Sequence, residues 1–375
     1  MDLWANLDDL RRRQSEKWRH YPADVLPVFV AEMDSTLAEP VRAALASALD
    51  NSDTGYAHPE GLPEAFAGFA GRRWGWDPQP ATMTLMPDVA RAARTAIELV
   101  SEPGDAVVIN PPVYPPFYEW LEMTGRRLVS NPLRPGPDGW RLDLEGLEAA
   151  FAGGARVHLL CNPQNPTGTV HTRAELDAVA ELAERYDVRV VSDEIHAPLT
   201  LGDARFTPFL SLDRPAARTG FAAVSASKAW NLAGLKAALL VGGDEVVGEF
   251  RRIPEDATSS TGLFGVVASI AALNEGEAWL DELRAALEVN RRWLEEALAP
   301  LGIGYRPPDA TFLAWLDFRG LGLGDEPAAA LLDRGRVALY RGLDFGPEGA
   351  GFARFNFATR PEVLAEAVAR IAAAL

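Results

Sequence analysis

Between residues 105 and 242, short apolar runs alternate with amphipathic stretches. The runs at 105–110, 126–131, 156–161 and 188–193 read as short buried strands. Between them, residues 118–125, 142–153 and 172–186 place apolar side chains at helical spacing. The last of these opens on Thr172 with Glu175 three residues on, a capping box. Strand, helix, strand at this spacing predicts crossover connections and a mostly parallel sheet, an α/β fold. Two more apolar strands are expected at 221–225 and 236–243. After Glu245 the alternation stops. Long helical patterns run from Gly262 to Pro300, short strands follow at 312–317 and 353–358, and a helix closes the chain at 361–375. This mixture predicts a second, smaller domain, with a boundary in the polar, turn-rich stretch near 250–265. The first 35 residues fit neither pattern.

Composition narrows the possible partners. The 375 residues carry 36 Lys plus Arg against 53 Asp plus Glu, a formal net charge of −17. Nucleic acid and anionic membrane both call for a basic face, so neither is expected as a partner. The single cysteine, Cys161, cannot form an intrachain disulfide or a thiolate metal cage. The five histidines lie far apart, with no pair at metal-ligand spacing on a helix. The opening residues lack the apolar stretch of a signal peptide, and runs such as Ala237–Val241 are far short of a bilayer span. The expectation is a soluble, cytoplasmic protein without a metal.

Candidate chemistry gathers where strands end. Lys228 follows an apolar strand and two serines, Ser225 and Ser227, which places it at a strand's C-terminal end. Ligands bind there in open α/β sheets, and a lysine there can form a Schiff base and shuttle protons. A surface lysine capping a loop is the plain alternative. Asp193 and Glu194 end the strand at 188–193, followed by His196. An anion there can hold the ring nitrogen of a pyridine-type cofactor protonated; a helix N-cap is the alternative. Asn162-Pro163-Gln164-Asn165-Pro166 forms a rigid loop after a strand, and an Asn fixed in it can hydrogen-bond a phenolate-type oxygen. Cys161 reads as a buried strand end, with nothing nearby to activate its thiol.

Tyr114 sits in a Pro-rich loop and can stack on a planar ring or pack in the core. Val89 and Ala90 open a helix running to Val100, where free amides suit a phosphate. Asp88 beside them is ill placed for a dianion and suits a helix cap. Arg354 lies in an apolar strand and calls for a carboxylate, from a substrate or from the protein itself.

In this order the motifs resemble fold-type I pyridoxal-phosphate (PLP) enzymes, the class I/II aminotransferase superfamily. Lys17-Trp18, the segments 24–27 and 30–34, Gly55-Tyr56, the Pro-Pro-Val-Tyr loop, 192–196, 225–236 and 311–317 resemble the cystathionine β-lyase (C–S lyase) branch of the MalY and PatB type. The resemblance spans about residues 17 to 370. It implies an aspartate aminotransferase fold: a large domain over 45–260 with a mainly parallel, seven-stranded sheet, and a small α+β domain from 1–44 and 261–375. It also implies PLP, with Lys228 as the Schiff-base lysine and Asp193 at the pyridine nitrogen. Asn165 and His196 would stand at the ring oxygen and Tyr114 against the ring. Ser225, Ser227, Lys236 and the amides near Val89 and Ala90 would face the phosphate. Arg354 would grip the substrate α-carboxylate. Tyr56 would reach the neighbouring subunit's site, which implies a homodimer with shared active sites.

The chain departs from the family pattern at Asp88, at 257–265, where an Asn-Pro step is missing, and at 197–202. The implied reaction is α,β-elimination from an S-substituted cysteine such as cystathionine, giving thiol, pyruvate and ammonia. Transamination with a keto-acid acceptor uses every residue named above and stays open. A purely regulatory role is not expected, because Lys228 is present and there is no room for a basic DNA-binding module.

Overall fold

The computed structural model describes residues 2–136 and 139–375. Seven strands form the main sheet: β1 Met83–Met86, β2 Ala106–Ile109, β3 Arg127–Ser130, β4 Ala155–Cys161, β5 Arg189–Asp193, β6 Phe221–Val224 and β7 Ala238–Gly242. Their order is β1-β7-β6-β5-β4-β2-β3. Only β7 runs against the rest. The fold is therefore α/β with a mostly parallel seven-stranded sheet, as expected. The strand pattern along the sequence showed six of these strands. The seventh, β1, is an edge strand that pairs with β7 far along the chain.

Alternate strand residues serve opposite faces. Val107, Ile109, Leu159 and Val191 pack with the helix Val89–Val100. Ala106, Val108, Leu160 and Val190 pack with the helices Leu144–Ala152 and Arg173–Tyr186. Both faces are covered, which is why these strands read as continuous apolar runs. The expected capping box is present: Glu175 N–H donates to Thr172 Oγ1 at 3.1 Å, and Thr172 N–H donates to Glu175 Oε2 at 2.8 Å.

A second, antiparallel sheet joins β8 Gly304–Tyr305, β9 Leu313–Asp317, β10 Tyr340–Arg341 and β11 Phe352–Asn356, in the order β8-β9-β11-β10. The helices Glu277–Leu298, Pro327–Gly335 and Pro361–Ala374 contribute to its core. The helix Glu39–Asp50 runs through position 45 and packs on Leu263–Glu275. The first 35 residues form two short helices and then a strap. Leu26–Pro27 pairs with Val337–Ala338, and the chain continues to the carbonyls of Phe29 and Ala31, which accept from Arg354 and Lys228. No helix among the described residues is long and apolar enough to cross a membrane.

Candidate active site

The parallel strands deliver their C-terminal ends to one edge of the sheet. Register places Asp193 between Cys161 on β4 and Ala223 on β6. Lys228 follows one turn beyond β6, and the Asn162–Asn165 loop follows β4. All of them reach a cavity of about 340 Å³. Of the expected site residues, Lys228, Asp193, His196, Asn165, Tyr114, Ser227, Lys236, Val89, Ala90 and Arg354 line it. Ser225 stands just behind, donating to the Ala237 carbonyl at 2.7 Å and accepting from Ser227 N–H at 3.0 Å. Tyr56 is not among the lining residues; its side chain is 95 % exposed.

Burial dominates the electrostatics. Lys228 Nζ donates to the Ala31 carbonyl at 2.9 Å. Burial, then Arg354 nearby, pulls its pKa down to about 8. Burial pushes the Asp193 carboxyl up to about 6, opposed by Ile195 N–H donating at 3.1 Å and by Lys228. Its neighbour Glu194 points elsewhere: it accepts from Ser192 Oγ at 3.0 Å and Phe209 N–H at 2.8 Å, and burial raises it to about 8. The strand's alternation thus gives only one of the two acids to the cavity. Burial holds His196 well below the ordinary imidazole value, and its buried Nδ1 has no protein partner. Burial, with Asp193 nearby, also raises the Cys161 thiol, which packs as the buried strand end expected.

Arg354 carries the sharpest unmet demand. Its Nη1 donates to Asn165 Oδ1 at 3.1 Å and its Nη2 to the Phe29 carbonyl at 3.0 Å. The guanidinium carbon lies 4.7 Å from the Tyr340 ring centre and 5.0 Å from that of Phe345. Its buried Nε has no partner, and no carboxylate among the described residues forms an ion pair with it. An unpaired buried donor of this kind calls for an anion from outside the chain. Burial lowers its pKa to about 10, so it stays charged at neutral pH.

The opposite end of the cavity suits a phosphate. The first amides of the helix Val89–Val100 have no preceding turn to bond. Asp88 caps that helix through Arg91 N–H at 2.8 Å and also pairs with Lys236 at 3.0 Å. Lys236 sits in a left-handed turn (φ 60°), against which Gly262 and Gly265 pack. A Cβ at either glycine would run into the Leu235 carbonyl. The cavity thus has an anion subsite at each end, with a carboxylate and an amine between them. Pyridoxal phosphate fits this donor set.

Sequence reasoning missed Tyr340 and Trp120 as lining residues, and it noted Val30, Ala31 and Ile195 only as parts of motifs. Tyr340 faces Arg354 across the β10–β11 pairing.

Residues 30–371 match the family model for Aminotransferase class I and II. The chain belongs to that family. It is similar to a Mycobacterium leprae protein assigned provisionally as a cystathionine beta-lyase, with 45 % identity over 98 % of this chain and 96 % of the relative. Corynebacterium glutamicum cystathionine beta-lyase is 37 % identical over 99 % of this chain and 100 % of its own length. Among solved structures, Treponema denticola cystalysin, which contains pyridoxal 5′-phosphate, superposes with a TM-score of 0.93 at 25 % identity, covering 100 % of this chain and 98 % of that one.

Proposed function

We propose that this chain is a PLP-dependent C–S β-lyase. It cleaves S-substituted L-cysteines, cystathionine among them, to a thiol, pyruvate and ammonia. The observation that carries the chemistry is the meeting of three groups in one cavity: Lys228 with a depressed pKa, buried Asp193, and Arg354 with an unpaired Nε. Elimination rather than transamination rests on the full-length likeness to cystathionine beta-lyase.

Each side chain has a task in this reading. Arg354 takes the substrate carboxylate on Nε and its neighbouring Nη, a bidentate grip. Asn165 Oδ1 holds Arg354, which leaves its Nδ2 to donate to the cofactor's ring oxygen. The Asp193 carboxylate keeps a proton on the ring nitrogen. Tyr114 covers one ring face. Ser225, Ser227, Lys236 and the Val89 and Ala90 amides hold the phosphate. When bound, pyridoxal phosphate supplies the sink for the electron pair left at the α-carbon. Lys228 Nζ takes the α-proton as general base; burial lowers its pKa to about 8, which favours its neutral form relative to an ordinary lysine. With the cofactor bound, the β-carbon's sulfur would leave as a thiol, taking the proton held on Lys228 Nζ, and the freed enamine would hydrolyse with one water to pyruvate and ammonia.

The reading extends to a homodimer in the cytoplasm, with the exposed Tyr56 reaching the partner's site. It also divides the chain into a large domain, 45–260, and a small one from 1–44 and 261–375. The test is pyruvate and thiol release from L-cystathionine and from a panel of S-substituted cysteines, with no keto acid added. Turnover that appears only with a keto-acid acceptor would overturn the lyase reading in favour of an aminotransferase.

A further inference from the structure

The strap at residues 28–33 crosses the cavity with its carbonyls sorted by parity. The even ones face one residue, Asn356: its N–H donates to Val28 O at 2.8 Å, and its Nδ2 donates to Val30 O at 2.8 Å and Glu32 O at 2.5 Å. Two of the odd ones face the site: Phe29 O takes Arg354 Nη2 at 3.0 Å and Ala31 O takes Lys228 Nζ at 2.9 Å, while Met33 O lies beyond it, taking Asn231 Nδ2 and Arg13 Nη1, each at 2.9 Å. A tight turn, closed by Glu32 N–H on Val30 O at 2.9 Å, presents the Ala31 carbonyl to Lys228.

Asn356 is built for this. It is fully buried, and both amide hydrogens are used. Its Oδ1 accepts from Ala358 N–H at 2.8 Å. It stands two residues after Arg354 on β11, so both side chains leave the same face of the strand. One strand therefore supplies the carboxylate grip and the clamp that fixes the strap against it.

We infer that Asn356 is a positioning residue: by holding the even carbonyls of the strap, it turns the odd carbonyls onto Arg354 and Lys228. Its effect on substrate rests on the lyase reading above; its effect on the strap does not. Asn356→Asp keeps the shape and the acceptor but loses both donors. Asn356→Ser keeps one donor and serves if the first variant fails to fold.

Hydrogen exchange of residues 28–34 is measured in the holoenzyme, beside kcat and KM and the absorbance of the Lys228-bound cofactor. The expected result is exchange at least about tenfold faster in the strap. KM for an S-substituted cysteine should rise about tenfold while kcat falls less, with cofactor still bound. Strap exchange and KM both within about twofold of wild type, in a folded variant, would overturn the inference. So would collapse of both variants, which would make Asn356 a residue of the small sheet's stability alone. If the wild-type enzyme releases no pyruvate, the lyase reading fails, while the exchange result still decides the strap.

Discussion

Lys236 and Asp88 form an ion pair 3.0 Å long at the phosphate end of the cavity. Asp88 thus does two jobs at once: it caps the helix Val89–Val100 and it pairs with Lys236 on the cavity wall. A phosphate bound there must share Lys236 with Asp88. Replacing Asp88 with Ser keeps a capping oxygen and removes the charge. Both partners are well exposed, so solvent limits the gain to about fivefold tighter cofactor binding, the equivalent of one water-screened charge contact. Reconstitution of apoenzyme, followed by cofactor absorbance, measures it. Unchanged or weaker binding would mean that Asp88 does not oppose the phosphate.

Arg354 is expected to serve binding more than stability. Its Nε is buried without a partner, and the cost of burying the charge offsets the Nη hydrogen bonds to Asn165 Oδ1 and the Phe29 carbonyl. Arg354→Met fills similar space and removes the buried charge but strands Asn165 Oδ1 and the Phe29 carbonyl, so stability should fall by only about 1–3 kcal/mol. KM for the amino acid should rise by about 10- to 100-fold, the worth of a hydrogen bond to a charged group. Arg354→Lys restores the charge without the fork and should recover only part of this. A large fall in stability with KM intact would reverse the assignment.

Lys228, Asp193, Asn165 and Arg354 were legible in the sequence for a local reason. Each lies in or directly beyond an apolar strand, and a polar residue in that place stands out. Tyr340 was not legible, because its role comes from pairing with Arg354 across two strands that no local pattern links. Ala31 contributes only a backbone carbonyl, which side-chain chemistry cannot announce. The strap has no periodicity, since most of its carbonyls bond to side chains, and Val28 O alone takes a backbone N–H of the neighbouring strand β11. Strand β1 escaped for another reason: it is four residues long, lies at the sheet edge and stops before Pro87. The family motifs nevertheless implied seven strands, because the motif order carries the topology that hydrophobic alternation does not.

Asp193 should weaken the apoprotein at neutral pH. Its folded pKa, raised to about 6 by burial, lies above the ordinary value of 3.8. Its contribution is therefore fully favourable below about pH 4 and is lost as pH rises through about 6. Asp193→Asn removes the charge and keeps an acceptor for Ile195 N–H. The apoprotein variant should be more stable than wild type at pH 7, by an amount on the order of 1–3 kcal/mol. The difference should vanish near pH 4. Turnover should fall by at least about a hundredfold at pH 7, because the ring nitrogen loses its anion. Melting curves of both apoproteins at the two pH values test the sign; a variant less stable at pH 7 would contradict it.

Lys17 and Asp34 form a buried ion pair at 2.9 Å, with side chains 1 % and 0 % exposed. Asp34 also accepts from Trp18 Nε1 at 2.8 Å, and its own N–H donates to Ala358 O at 2.9 Å. The pair ties the first helices to the far end of the strap, so both partners are needed or neither. Lys17→Met alone leaves a buried carboxylate without its cation and should cost about 3–5 kcal/mol. Adding Asp34→Leu removes the stranded charge and should recover most of that loss. Denaturant unfolding of the two variants measures the coupling. Equal losses in the single and double variants would show that the charges do not hold the strap, and that packing around Trp18 does.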